Sequence, residues 1–342
     1  MDMSAKANGL TGLANVGNTC YLNSLIQVLS HTTELNEVTQ NPDTVNKLNK
    51  TIESALLLEW EKLRALMWSE DCTIAPWGFV NAVRKVAKTK NREFFTMHQQ
   101  CDIDEFMQFL LSCFHEGLSR EVQMSIKGKT KNKRDKLAEK CYTVMKNMHE
   151  KDYSELLDIF FGISVTTITG TDKSLYSAIP EPMSVINIPI PPGKEHTLES
   201  CISHLCRTED MTGDDKYYHS EKNDYVDAQL RMSYWSLPKV LIIVLKRFTN
   251  SNRKIQTPVH IPLEPINMSP LICGYRKDDY KYELYGVCNH AGTALGGHYT
   301  ATVKTPKGWH NFNDTSITPL DGDSNIVNPT QAYALFFRKV KK

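Results

Sequence analysis

Cys20 ends the segment Gly12-Leu13-Ala14-Asn15-Val16-Gly17-Asn18-Thr19, where glycines and asparagines favour a turn, and it opens a stretch whose apolar residues recur at helical spacing. A cysteine at a helix start faces free backbone N–H groups and the positive end of the helix dipole, and both favour a thiolate. Thr19 or Asn18 is placed to cap that helix. Gly17 permits the backbone conformation that a tight entry needs. Asn15, further upstream, is placed to fold back and donate its amide to a developing oxyanion. Near the other end, Gly296-Gly297-His298-Tyr299-Thr300-Ala301 sets a histidine at the start of an alternating, strand-like run, where it is a candidate acceptor for the thiol proton. The two glycines remove side-chain bulk and leave room for an extended chain. The ring needs an acceptor on its second nitrogen to fix its tautomer. Trp309-His310-Asn311-Phe312-Asn313-Asp314 offers two, Asn313 and Asp314, if a short strand there pairs with the one beginning at Tyr299. Cysteine first, then a distant histidine, then Asn or Asp is an order compatible with nucleophilic catalysis at a thiol.

The elements that must position these residues divide the chain. Leu22, Leu25, Ile26 and Leu29 predict a helix after Cys20 with one buried face. Ile52, Ala55, Leu56, Leu63 and Leu66 predict a second, and Ile103, Phe106, Met107, Leu110, Leu111 and Phe114 a third. The basic run Lys127–Lys136 reads as a solvated loop or helix end. Beyond it the pattern turns to strands, over 163–169, 184–190, 240–248, 282–287, 299–304 and 333–338, with prolines 180, 182, 189, 191 and 192 as punctuation. The expectation is one α+β domain over 1–342, helical over about 9–150 and strand-rich over about 151–342.

Composition bounds the function class. The chain has 342 residues, 41% hydrophobic and 23% charged, with a net charge of +1, which favours neither nucleic acid nor a membrane surface as partner. No long apolar run opens the chain or approaches the roughly 18 residues of a membrane span. The nine cysteines form no CxxC pair, so reduced thiols in the cytoplasm or nucleus are expected.

Taken together, these segments resemble the ubiquitin-specific proteases, a papain-like cysteine protease family. Residues 12–27 (GLANVGNTCYLNSLIQ) resemble its cysteine box, and 296–303 (GGHYTATV) with 309–314 (WHNFND) its histidine box. Leu237–Phe248 resembles its LPxxLxxxLKRF strand, Asn289-His290-Ala291-Gly292 its NHxG segment, and 332–337 (AYALFF) its last strand. The resemblance implies a right-hand fold of thumb, palm and fingers, and a deubiquitinase that forms a thioester intermediate. It implies Cys20 as nucleophile, His298 as base, Asn313 as orienter, Asn15 as oxyanion donor and Asp314 as an assisting carboxylate. Asp102, Glu105, Phe106, Gly296, Gly297, Tyr299 and His290 are the implied substrate contacts, and the partners are ubiquitin and ubiquitinated proteins, with a monomeric enzyme and room for a regulatory protein partner.

Two departures stand out. Gln100-Cys101-Asp102-Ile103-Asp104-Glu105-Phe106 resembles QQDAQEF with Cys101 and Asp104 substituted, which leaves a ubiquitin-binding module without turnover as the competing expectation. Many members of the family also bind zinc through two CxxC pairs in the fingers. The corresponding stretches, near Thr169–Asp172 and Tyr217–Lys222, hold no cysteine, so no zinc or other cofactor is expected. Cys201 and Cys206 read as core residues of a short helix.

Overall fold

The helix that begins at Cys20 runs to Ser30 and lies between a helical wall and a mixed sheet. It was found in a computed structural model that describes residues 8–46, 48–96, 99–294, 296–322 and 326–340. The sequence predicts one buried face, but all of its residues are buried. Its polar residues serve as internal fasteners. The Gln27 amide donates to the Thr11 carbonyl at 2.7 Å, and the Asn23 amide donates to the Asp314 carboxylate at 2.8 Å. These contacts satisfy groups that burial would otherwise strand.

The wall is built from helices Ile52–Met67, Trp77–Thr89 and Ile103–Leu118. The first and third follow the predicted apolar stripes. Trp60, Phe79, Phe106 and Phe114 fill the space between the three with almost no exposed surface. Within the basic run, residues 127–131 are exposed loop, and Lys133 then opens a helix to His149. Asn132 caps it by accepting from the Asp135 N–H at 2.9 Å.

The sheet has eight strands. Seven follow in the order Ser316–Pro319, Gly308–Asn313, Gly296–Thr305, Lys281–Thr293, Ala332–Lys339, Val240–Lys246 and Val185–Pro189, and the short Ile266–Asn267 pairs with Lys281–Thr293. All pairs are antiparallel except Val240–Lys246 with Val185–Pro189. Val240–Leu245 are buried on both sides, as an uninterrupted apolar run requires. A separate four-stranded antiparallel sheet, Leu175–Met183, Gly162–Gly170, Ala228–Ser236 and Thr208–Met211, extends from the palm as the fingers. Pro180 and Pro182 sit inside Leu175–Met183 and do not end it. That strand is at the sheet's edge, where a missing N–H breaks no inner ladder. Cys201 is fully buried in the helix Leu198–Leu205, and Cys206 closes its end, buried as well. All nine cysteines are free thiols.

Candidate active site

The turn before Cys20 is held from within. Gly17 has φ +107° and Asn18 φ +54°, so the chain passes through the left-handed region just before the helix. The Asn15 side-chain oxygen accepts from the N–H groups of Thr19 at 3.1 Å and Gly17 at 3.3 Å. Thr19 is the cap residue, but its hydroxyl accepts from Val16 N–H and leaves the first helical N–H groups uncapped. The backbone N–H groups of Tyr299, Tyr21 and Cys20, in that order, ease ionisation of the sulfur. They do not win. Cys20 is only 3% exposed, and burial, with the Asp314 charge added, pushes the thiol up from its ordinary value. Burial thus works against the low thiol pKa that a helix start favours.

His298 directly precedes Tyr299 on the strand Gly296–Thr305. Its Nε2 lies 2.6 Å from Asn313 Oδ1. The amide oxygen only accepts, so Nε2 carries the proton and Nδ1 is left as the basic nitrogen. The predicted strand pairing makes this possible: Gly308–Asn313 runs antiparallel to Gly296–Thr305. Asp314 follows at φ +50° and turns its carboxylate away from the ring's partner, toward the cysteine box. It accepts from Asn15 Nδ2 at 3.0 Å and Asn23 Nδ2 at 2.8 Å. Of the two candidates for orienting His298, Asn313 makes the bond, while Asp314 joins the two boxes. The Leu13 N–H adds a further stitch to the Asp314 carbonyl at 2.9 Å. Asn15 thus directs one amide hydrogen to Asp314 and keeps a second.

The other implied residues separate into two groups. Asp102 caps the helix Ile103–Leu118, accepting from Asp104 N–H and from the Tyr333 hydroxyl, both at 2.7 Å. Burial raises its carboxyl's pKa against the pull of those bonds. Glu105 is exposed on the first turn, while Gly296 and Gly297 form the free end of the histidine strand. Phe106, Tyr299 and His290 are buried. Phe106 packs edge-on to Tyr21 at 5.0 Å and against Phe95 at 5.5 Å, so its implied contact with substrate is corrected to a place in the core. His290 lies among Phe248 and Tyr299, 5.2 and 4.7 Å between ring centres. Gly297 has to be glycine, because a Cβ there would collide with the Ala291 carbonyl and the His290 ring. Cys101 is buried and donates to the Phe94 carbonyl, and Asp104 accepts from the Gln108 amide at 2.9 Å, so both departures are absorbed locally.

Sequence reasoning missed Asn23, Gln100 and Tyr333. Asn23 carried a signal, a polar residue one turn after the cysteine in an otherwise apolar helix. Gln100 spans to Gly297 with both ends of its amide, at 2.7 and 2.8 Å, a pairing across the chain that no local pattern announces.

Burial, with Lys254 and His298 nearby, pulls the ionisation of His290 down to about 4, and burial does the same to His31. Both rings are then neutral in the folded protein at pH values where the unfolded chain, titrating near its ordinary ~6.5, takes up protons. Stability from these two groups is complete above the unfolded value and falls as pH drops toward the folded one. A loss of roughly 2–3 kcal/mol per histidine is expected between about pH 7 and pH 4. Urea midpoints across that range check it, and glutamine at either position should flatten the profile.

A helical wall and a mixed sheet, with the Cys20 helix packed against the strand that carries the His298–Asn313 pair, define an α+β protein. Residues 11–337 match the family model described as ubiquitin carboxyl-terminal hydrolase, and the chain belongs to that family. It is 31% identical over 347 residues to ubiquitin carboxyl-terminal hydrolase 2 of Homo sapiens, covering 98% of this chain and 56% of that protein. The Gallus gallus protein of the same name is 30% identical over 350 residues, covering 98% and 94%. The chain thus spans little more than half the length of the human relative. Among solved structures, the SAGA module of Ubp8, Sgf11, Sus1 and Sgf73 bound to ubiquitin aldehyde superposes with TM-score 0.76 at 22% identity, over 99% of this chain and 71% of that one, which shows the shared fold.

Proposed function

We propose that this chain is a deubiquitinating cysteine peptidase that hydrolyses isopeptide or peptide bonds at the C-terminal glycine of ubiquitin. The observation that carries the reading is the His298–Asn313 bond on a strand packed against the helix that Cys20 opens, with the next N–H, that of Tyr299, easing ionisation of the thiol. With Cys20 buried as a thiol, the reaction opens with transfer of its proton to His298 Nδ1 as the sulfur attacks the glycine carbonyl. Asn15 and the N–H groups at the helix start stabilise the oxyanion, an effect of about 2.7–4 kcal/mol per donor. His298 returns the proton to the departing lysine amine, leaving a thioester. Water, deprotonated by the same ring, releases ubiquitin's carboxylate and restores the thiol. The substrates are ubiquitin and ubiquitinated proteins. The enzyme works as a monomer in the cytoplasm or nucleus, needs no nucleic acid or membrane, and leaves room for a regulatory protein partner.

The test is covalent labelling with ubiquitin carrying a C-terminal electrophile. Wild type should form an adduct and Cys20→Ala none. A folded wild type that neither reacts nor cleaves a ubiquitin C-terminal amide would overturn the reading in favour of a binding module.

The reading includes fingers without zinc. Where the family's cysteine pairs would fall, Tyr176 stacks on Tyr217 at 6.0 Å, meets the His219 ring edge-on at 4.5 Å, and lies under the Lys222 ammonium at 5.3 Å. This donor set does not fit zinc, which takes four ligands rich in thiolate or imidazole. Among the described residues no group of three metal-binding side chains gathers. A chelator should therefore leave the melting temperature and ubiquitin labelling unchanged, and a chelator-dependent loss of either would contradict this.

A further inference from the structure

Along the histidine strand, successive residues point their backbone groups to opposite edges, so Gly297 and Tyr299 face the same way. Gly297 lies opposite Gly292 of the neighbouring strand, and Tyr299 opposite His290. On the other edge, the next strand begins its pairing only at Ala301, opposite Phe312. Among the described residues no strand pairs with the stretch before Ala301 on that edge. One of its groups, Tyr299 N–H, eases the ionisation of Cys20. An extended peptide adding to this edge would meet Gly297 about 7 Å before reaching that point.

Gly297 is already engaged there. The Gln100 amide nitrogen donates to the Gly297 carbonyl at 2.7 Å, and the Gly297 N–H donates to the Gln100 side-chain oxygen at 2.8 Å. One carboxamide thus supplies the donor and acceptor that a peptide group of an added strand would supply. Gln100 is exposed and lies just before the cap of the helix Ile103–Leu118, so this pair of bonds ties the thumb to the palm across the mouth of the cleft.

We propose that Gln100 is a displaceable strap, which occupies the substrate's pairing edge in the free enzyme and must let go before the ubiquitin tail can lie beside Cys20. The proposal rests on the deubiquitinase reading and specifies how that site is closed at rest. A ubiquitin conjugate has a folded body on each side of the scissile bond, so its tail cannot thread end-first beneath a closed bridge. The bridge has to open for every such substrate. The exposed strap holds by two neutral hydrogen bonds, contacts weak enough for an incoming tail to replace with equivalent ones. The closed fraction lowers apparent affinity without touching the chemical step.

Two variants test this. Gln100→Ala removes both bonds. Gln100→Glu keeps the shape but sets an acceptor against the Gly297 carbonyl. Both should raise the second-order rate of labelling by the ubiquitin electrophile by about fivefold or more, and lower KM for a ubiquitin C-terminal amide with kcat unchanged. Alkylation of Cys20 by iodoacetamide, followed by mass spectrometry of its peptide, should keep its wild-type rate, because so small a reagent needs no strand edge. Wild-type labelling with unchanged or slower labelling of both variants would overturn the strap and make Gln100 a brace or a tail contact. Slower alkylation would overturn it too, by showing that the bridge builds the site. If neither wild type nor variants label while alkylation is normal, the deubiquitinase reading falls and the strap with it.

Discussion

Truncating Asn313 to alanine is expected to lower kcat on the order of 100-fold with little change in KM. The 2.6 Å bond from His298 Nε2 to Asn313 Oδ1 does two things. It keeps the proton on Nε2, so that Nδ1 is free to take the thiol's proton, and it holds the ring plane. Without it both tautomers populate and the ring turns. The elevated thiol pKa makes the loss larger, because little thiolate exists to react without the base. Asn313 is exposed, so the variant should fold normally. Asn313→Asp retains the acceptor and should keep most of the turnover. Asp314→Ala acts elsewhere, since its carboxylate holds Asn15 and Asn23. It should loosen the oxyanion side and, by removing a negative charge near the sulfur, move Cys20 alkylation to lower pH. An Asn313→Ala enzyme with wild-type kcat would transfer the orienting role to Asp314.

The two boxes were legible because their chemistry is local in sequence. The glycines and asparagines before Cys20 specify the turn that the positive φ angles confirm, and the alternation after His298 specifies the strand that brings Asn313 alongside. The state of the thiol was not legible. Helix position is a property of a few neighbouring residues, whereas desolvation comes from the strand that folds back over the cysteine from the far end of the chain. For the same reason the Cys20–Ser30 helix shows a polar face that is in fact internal: Asn23 and Gln27 meet partners that only the tertiary structure supplies.

Two of the longer helices escaped the sequence reading for different reasons. Trp77–Thr89 carries Phe79, Val80, Val83, Val86 and Ala87 in a helical stripe, so its signal was present. Lys133–His149 buries only Ala138, Cys141 and His149, too thin a stripe to stand out behind a basic run, although Asn132 and Asp135 mark its start. Of the finger strands only Gly162–Gly170 was legible, and the tyrosine–histidine cluster depends on Tyr176 and Tyr217, which are distant in sequence and meet only in the folded chain.

Arg247 shows most clearly what a strand signature can conceal. Read along the sequence, it is one basic residue in the Leu-Lys-Arg-Phe that closes a buried strand. In the structure it has no exposed surface and, among the described residues, no carboxylate partner, and its guanidinium donates to carbonyls. Nε donates to Ala332 O at 2.7 Å, one terminal nitrogen to Ile255 O and Thr257 O at 3.1 and 3.0 Å, and the other to Pro329 O at 2.6 Å. Burial lowers its ionisation to about 10, so it remains cationic at neutral pH. These four bonds fasten 255–257 and 329–332 to the end of the central strand. The second of those segments carries the Gln331 carbonyl that receives the His290 N–H at 2.8 Å, one strand from His298. Arg247→Met fills the space but withdraws a donor from each of four carbonyls, of which Pro329 O keeps the Val259 N–H at 2.9 Å, and should cost roughly 3–5 kcal/mol of stability. Arg247→Lys keeps the charge, yet its compact ammonium has three donors and cannot reach four carbonyls fanned around a plane, so it should recover only a minor part. Urea denaturation measures both. A methionine variant with a wild-type midpoint would mean that the carbonyls find other donors, and that this arginine is not what holds the palm's loops to its sheet.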